Sequence, residues 1–268
     1  MKDLFSDQSK LYQQARPVYP QAVILEILKH THGRHVAWDC GAGSGQFTQL
    51  LASYFDQVIA TDLSESQLKQ APPFENVEYQ VVNAEQTEFP NHEFDLITVA
   101  QAIHWFDFDK FYQEVDRTLK PNGLIAVVGY GLLETDHVGV NDLIRYIYVD
   151  ILGKYWDVER RYVDEAYQTI PFPFEEIKTT RSLEMNFQWG INQLVDYLST
   201  WSALKHYKKD QNSQNEKKYQ NEQKVGLNQN QPQDPLKLII EYCQTNNITQ
   251  LAIRFPIYLR LGRSRKSS

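Results

Sequence analysis

Between a short apolar run ending at Cys40 and a helical pattern beyond it, the chain places glycine at 41, 43 and 45. The stretch reads WDCGAGSGQF, from Trp38 to Phe47. Glycine weakens helices and strands because it has the most backbone freedom to lose. Three at alternate positions mark main chain that must bend sharply or lie bare against something. A strand-to-helix turn of this kind also offers the free N–H groups of a helix start to a ligand. Few folds are built around such a bend.

The flanking periodicities narrow them further. Residues 21–30 have a helical pattern and lead to a strand at 35–39. In the next helix, 45–54, the residues Phe47, Leu50, Leu51, Tyr54 and Phe55 share one face at helical spacing. A strand at 57–61 precedes a helix opening at Ser64, where Gln67 three residues on makes a capping-box pattern. Another strand covers 77–82. The near-continuous apolar run 94–100 reads as a strand covered on both faces. Asp107 is placed to cap a helix whose Phe108, Phe111, Tyr112, Val115 and Leu119 share a face. Lys-Pro-Asn-Gly at 120–123 reads as a turn before a buried strand at 124–128. Strand–helix alternation at this spacing predicts an α/β fold, a parallel sheet with helices on both faces.

Beyond Tyr130 the pattern loosens. Residues 139–170 are helical and aromatic-rich, 174–187 suit a strand, and 191–207 are helical. The polar run 208–233 can bury little apolar surface and is expected to be a mobile surface insertion. A helix at 234–244 and a β-rich stretch at 248–259 follow, and no internal repeat is visible.

Composition excludes several classes. A net charge of −7 over 268 residues lacks the basic face of a nucleic-acid binder. The one basic cluster, Arg260, Arg263, Arg265 and Lys266, reads as a solvated terminus. Cys40 and Cys243, 203 positions apart, make neither a disulfide framework nor a metal site, and suit a reducing cytoplasm. Neither an apolar leader nor an 18-residue apolar run is seen, so a soluble protein without a membrane partner is expected.

Four features fall at the carboxyl ends of the predicted parallel strands, where open α/β sheets bind ligands. The first is the turn Asp39-x-Gly41-Ala42-Gly43-x-Gly45. A nicotinamide fingerprint needs Gly-x-Gly-x-x-Gly/Ala, but its last position falls on Gln46. That spacing favours a nucleoside without a pyrophosphate. The second is Asp62, 21 residues after Gly41, whose carboxylate suits both hydroxyls of a ribose. The third, Asn83-Ala84-Glu85, offers a side-chain carbonyl to an adenine amino group. The fourth is Gln101-Ala-Ile-His104-Trp105-Phe-Asp107. Taken singly these are a turn, a helix cap, a loop asparagine and a satisfied core histidine. Their joint order and spacing are what carry the reading.

Together they resemble the class I S-adenosylmethionine-dependent methyltransferases, and within them the trans-aconitate methyltransferase-like (methyltransferase type 11) subgroup. FSDQSKLYQQARPVYP (5–20), AQAIHWFD (100–107), YLSTWSALKHY (197–207), DPL (234–236) and IRFPIYLRLGR (253–263) resemble segments of that subgroup. The match omits only the polar insertion. The resemblance implies a Rossmann-like, seven-stranded, mostly parallel sheet whose last strand, at 248–259, is antiparallel, with a helical substrate-side insertion. It implies one domain: an N-terminal lid and first helix (1–34), a cofactor-binding core (35–130), a substrate-side insertion (131–207), the polar insertion (208–233), and a C-terminal helix and strand (234–268).

It further implies S-adenosylmethionine as cofactor and S-adenosylhomocysteine as product. Gly41, Ala42, Gly43 and Gly45 would pack under the methionine part, Asp39 would order the loop, and Asp62 with Leu63 would hold the ribose. Asn83, Ala84 and Glu85 would meet the adenine; Asn83 stands where related enzymes often have Asp. Gln101 is assigned to the cofactor side, as are Tyr12 and Arg16, which with Tyr19 form an expected lid. Arg16 offers a guanidinium fork to a carboxylate of cofactor or substrate. His104 and Trp105 are the expected catalytic residues, His104 as a base near neutral pH or as a hydrogen-bond donor that places the substrate. Tyr146, Tyr148, Trp156 and Trp201 are expected pocket aromatics by analogy. The expected reaction is O-methylation of a small-molecule carboxylate or hydroxyl. A silent cofactor-binding relative and a macromolecule methyltransferase are the alternatives; oligomeric state is not readable.

Overall fold

The structure is a computed structural model that describes residues 15–179, 181–222 and 234–264. In chain order its first elements are α1 (Gln21–Leu28), β1 (Val36–Cys40), α2 (Thr48–Ala52), β2 (Gln57–Asp62), α3 (Glu65–Leu68), β3 (Val77–Val81), β4 (Phe94–Ala100), α4 (Phe108–Thr118) and β5 (Leu119–Tyr130). There follow β6 (Glu134–Thr135), α5 (Val138–Tyr146), α6 (Arg160–Asp164), β7 (Glu175–Ile177) and β8 (Leu183–Gly190). The last are α7 (Ile191–Ser199), α8 (Ser202–Glu222), α9 (Lys237–Thr245) and β9 (Gln250–Arg263). The chain divides into two compact units: Met1–Leu133, Glu159–Met185 and Phe255–Ser268 in one, Glu134–Val158 and Asn186–Arg254 in the other.

In the first unit the strands run in the order β3-β2-β1-β4-β5-β9. The first five are parallel, and β9 is antiparallel to β5, Ala126 facing Leu261 and Tyr130 facing Ile257. β7 adds to the far side of β9. This is the Rossmann-like arrangement expected, with the antiparallel strand starting and ending slightly later than 248–259. The sheet centre is apolar because β4 and β5 present Leu, Ile and Val to both faces. Trp38, fully buried, packs on Phe89, Phe94 and Phe111 and donates its indole N–H to Thr61 Oγ1 at 2.8 Å. Removing a ring of that size from water stabilises a core by about 1.5–3 kcal/mol.

Local signals met tertiary demands with mixed results. Asp107 caps α4 as expected, accepting the Lys110 N–H at 3.3 Å. The expected capping box at Ser64 does not form; the Ser64 hydroxyl faces Ser66, and Asp62 takes the Ser64 N–H instead. The turn expected at 120–123 is absorbed into β5, which begins straight after α4. It survives as a register shift opposite Phe94/Leu96 and as Asn122 with φ of +65°. The single strand expected at 174–187 is two strands, β7 and β8. The polar run is helical as far as Glu222; residues 223–233 lie outside the described ones.

The basic tail needs correction. Arg260 is buried, not solvated: its guanidinium pairs with Glu176, lies over the Phe172 ring and donates to the carbonyl oxygens of Tyr167 and Ile170. Arg263 donates to the His30 carbonyl. Both sit in β9, whose pairing carries the chain end back across the sheet. Arg265 and Lys266 lie outside the described residues.

In the second unit, β6 pairs with Ile253 and Arg254 of β9. Tyr148, Trp156 and Trp201 form one aromatic cluster, with ring centroids 4.6–5.5 Å apart, while Tyr146 is exposed. Among the described residues, no helix is long and apolar enough to cross a membrane.

Candidate active site

The glycine turn is shaped by left-handed backbone. Gly41, Gly43 and Gly45 have φ of +70°, +57° and +80°, a region that other L residues enter only with strain. Space is short as well: a Cβ on Gly41 would stand 2.5 Å from the Ala102 Cβ.

Two carboxylates hold the turn. Asp39 is fully buried and accepts from the Thr98 hydroxyl at 2.8 Å and the Thr48 hydroxyl at 2.6 Å. Burial pushes its carboxyl up to about 6, and the two threonines work against that rise. Asp62, at the end of β2, accepts the N–H of Gly43 at 2.9 Å on one oxygen and of Ser64 at 2.8 Å on the other. A carboxylate has about four acceptor positions, which suits a group that serves a turn and a ligand together. Cys40, beside them, is buried, and burial pushes its thiol well above the usual range, disfavouring the thiolate.

A cleft opens over the turn. Its wall includes Asp39, Gly41, Ala42 and Gly43, then Asp62 and Leu63, then Gln101 and Trp105. Arg16 and Tyr19 also line it; Arg16 Nη1 donates to the Tyr130 hydroxyl at 2.8 Å. Gly45, Asn83, Ala84, Glu85 and His104 are not in this wall. Asn83 turns its side-chain oxygen onto the Glu85 N–H at 3.0 Å, Glu85 accepts the Asp107 N–H at 2.9 Å, and Ala84 is buried in the core. Tyr12 lies outside the described residues.

At the end of β4 the structure brings in one residue that sequence reasoning missed, Tyr167. Gln101 stands at φ of +53° and its amide nitrogen donates to the Tyr130 carbonyl at 2.9 Å. The Tyr167 hydroxyl donates to Gln101 Oε1 at 3.1 Å and lies 3.2 Å from His104 Nδ1. His104 is buried, and burial, helped by the Arg160 charge, pushes its imidazole down to about 3. It is therefore neutral near pH 7 and a poor proton acceptor, against the expectation of a base near neutrality. The Trp105 ring centroid is 4.9 Å from that of His104. Tyr167 carried no sequence signal: it is 66 residues from Gln101, and no glycine marks the left-handed pair Ala166–Tyr167.

The site fits an adenosyl sulfonium. The bend is glycine backbone that lines the cleft, and the Asp62 carboxylate stands beside it. Among the described residues no group of His, Cys, Asp and Glu is placed to hold a metal.

Comparison with known proteins agrees. A family model described as a methyltransferase domain matches residues 38–127, the span from the glycine turn to β5. A Dictyostelium discoideum protein named as a methyltransferase is 33% identical over 265 residues, covering 97% of this chain and 95% of its own. CRG1 of Saccharomyces cerevisiae, named as an S-adenosylmethionine-dependent methyltransferase, is 25% identical over 239 residues, 76% of this chain and 81% of its own. A solved structure from Anaeromyxobacter dehalogenans, described as a type II methyltransferase, is 33% identical and superposes with a TM-score of 0.76 over 92% of this chain and 97% of that one. None of these singles out the trans-aconitate-like subgroup. Relatives matched at this identity from end to end settle the family: the chain belongs to the class I S-adenosylmethionine-dependent methyltransferases.

Proposed function

We propose that this methyltransferase acts on an oxygen of a small molecule, with a carboxylate as its acceptor. One observation carries the choice: His104 lies outside the cleft wall, buried with its Nδ1 at the Tyr167 hydroxyl, and that burial lowers its proton affinity to about 3. Both oxygens of Asp39 accept from threonine hydroxyls. A carboxylate is nucleophilic without losing a proton, whereas a hydroxyl needs a base or a strongly polarised site. Small size is supported by the acidic chain, which lacks a phosphate-binding footprint.

When bound, S-adenosylmethionine supplies a methyl group on a positively charged sulfur, so departure needs no acid. The chain's residues align and enclose. Asp62 accepts the ribose hydroxyls, and Gly41, Ala42 and Gly43 leave the backbone bare beneath the methionine part. Arg16 pairs with a carboxylate. Trp105 turns a π-face toward positive charge. Alignment of two reactants in one cleft supplies roughly 7–11 kcal/mol of the barrier in well-oriented systems.

The test uses cofactor carrying a labelled methyl group and a panel of small acids, alcohols and phenols. We expect label in a methyl ester that mild alkali hydrolyses to methanol, at a rate flat with pH around neutrality. A base-stable product, or a rate that climbs with pH as a hydroxyl or a base titrates, would sink the carboxylate reading. Tight cofactor binding with no transfer to any acceptor would instead favour a silent, cofactor-binding relative.

A further inference from the structure

The orientation of the Gln101 amide is fixed from outside. Its neighbour at 2.9 Å is the Tyr130 carbonyl oxygen, which can only accept, so the NH₂ group must face it. Oε1 then faces the opposite way, where the Tyr167 hydroxyl donates to it at 3.1 Å. A hydroxyl has a single proton. With that proton committed to Gln101, only lone pairs remain toward His104 Nδ1 at 3.2 Å. Nδ1 must therefore carry the hydrogen, and Nε2 the lone pair.

The groups that set this direction are firmly held. Tyr167 is fully buried, with φ of +60°, and Arg260 grips its carbonyl oxygen at 2.8 Å. Gly129 lies against its ring; a Cβ there would stand 2.4 Å from Tyr167 Cε2. The Gln101 N–H donates to the Val128 carbonyl at 2.9 Å. Neither partner can turn away without breaking these contacts.

We propose that Gln101 and Tyr167 are positioning residues: they polarise a hydrogen-bond chain from His104 to the Tyr130 carbonyl and hold His104 as its Nδ1–H tautomer, with Nε2 left as a hydrogen-bond acceptor behind Gln101 and Trp105 of the cleft wall. The sequence offered His104 as a base or as a hydrogen-bond donor; the chain of bonds leaves Nε2 with a lone pair and no hydrogen to donate.

The test is a two-bond ¹H–¹⁵N correlation spectrum of the uniformly labelled full chain at neutral pH, with the His104 signals identified by their loss in His104→Gln. Nδ1 is expected to appear as the protonated nitrogen and Nε2 as the unprotonated one. In Tyr167→Phe, where Nδ1–H has lost its acceptor, the imidazole is expected to move toward the Nε2–H form that free imidazole side chains prefer, with cofactor affinity by calorimetry unchanged. If Tyr167→Phe does not fold, the wild-type spectrum decides alone. Hydrogen on Nε2 in the wild type, a charged imidazole at neutral pH, or an unchanged tautomer in a folded Tyr167→Phe would each overturn the proposal. These readouts need no methyl acceptor, so a failed substrate panel leaves them intact.

Discussion

The glycine turn and the end of β4 both border the cleft, but they are assembled from very different stretches of chain. At the turn, Gly43 N–H reaches Asp62 across 19 residues, between two neighbouring parallel strands. At the end of β4, His104 meets Tyr167 across 63 residues, and Arg260 secures Tyr167 across 93. The first region is shaped by backbone that only glycine adopts easily, the second by side chains locked by remote partners. Each contains a deeply buried group that can carry charge near neutral pH. Burial moves Asp39 up and His104 down, because in both cases it disfavours the charged form. The contrast shows how one physical cause gives the two regions opposite pH behaviour.

The largest effect expected follows from that opposition. Asp39 has a folded value of about 6, above its unfolded one, so its contribution is full at low pH and is lost as pH rises from about 4 to about 6. His104 has a folded value of about 3, below its unfolded one, so its contribution is full above about 6.5 and is lost as pH falls toward 3. Between pH 4 and 6 the two slopes oppose each other, each limited to about 1.4 kcal/mol per pH unit. Denaturant unfolding across that window should show Asp39→Asn with stability rising more steeply with pH than wild type, and His104→Gln with stability rising less or falling. Equal slopes in both variants would end the comparison.

Next in size is Arg260→Met. It leaves the buried carbonyl oxygens of Tyr167 and Ile170 without their donor, a loss of roughly 2–3 kcal/mol. Glu176 is partly exposed and adds little. Melting should drop while cofactor affinity by calorimetry holds. A parallel fall in affinity would mean that the two regions are coupled.

Smallest in free energy, and most specific, is Asp62→Ala. It removes the acceptor for Gly43 and Ser64 beside the bare bend and should weaken cofactor binding about tenfold or more, roughly 1.5 kcal/mol. Unchanged affinity would show that the carboxylate only orders the turn.

The difference in range also explains what could be read in advance. The glycine spacing, the apolar run of β4 and the Asp107 cap were visible because each is a local pattern with a local cause. Asp62 was found because the carboxyl ends of adjacent parallel strands must lie side by side. For His104 the sequence left base and hydrogen-bond donor open, because burial, not identity, sets its proton affinity. Arg260 was mistaken for a solvated tail because the last strand was expected to stop at 259, whereas β9 runs on to Arg263. Asn83 was assigned to the adenine, yet its side-chain oxygen is engaged by the Glu85 N–H; a short polar side chain next to a turn can always close on its own backbone.

The amino-acid order alone determined the parallel sheet, the bend that only glycine enters easily and the acidic residue next to it, since these follow from periodicity and backbone sterics. Tertiary structure alone decided which residues face the cleft, how far Asp39 and His104 are pushed from their ordinary values, and which nitrogen of His104 is left with a lone pair. Those depend on desolvation and on hydrogen-bond partners tens of residues away, which no local pattern encodes.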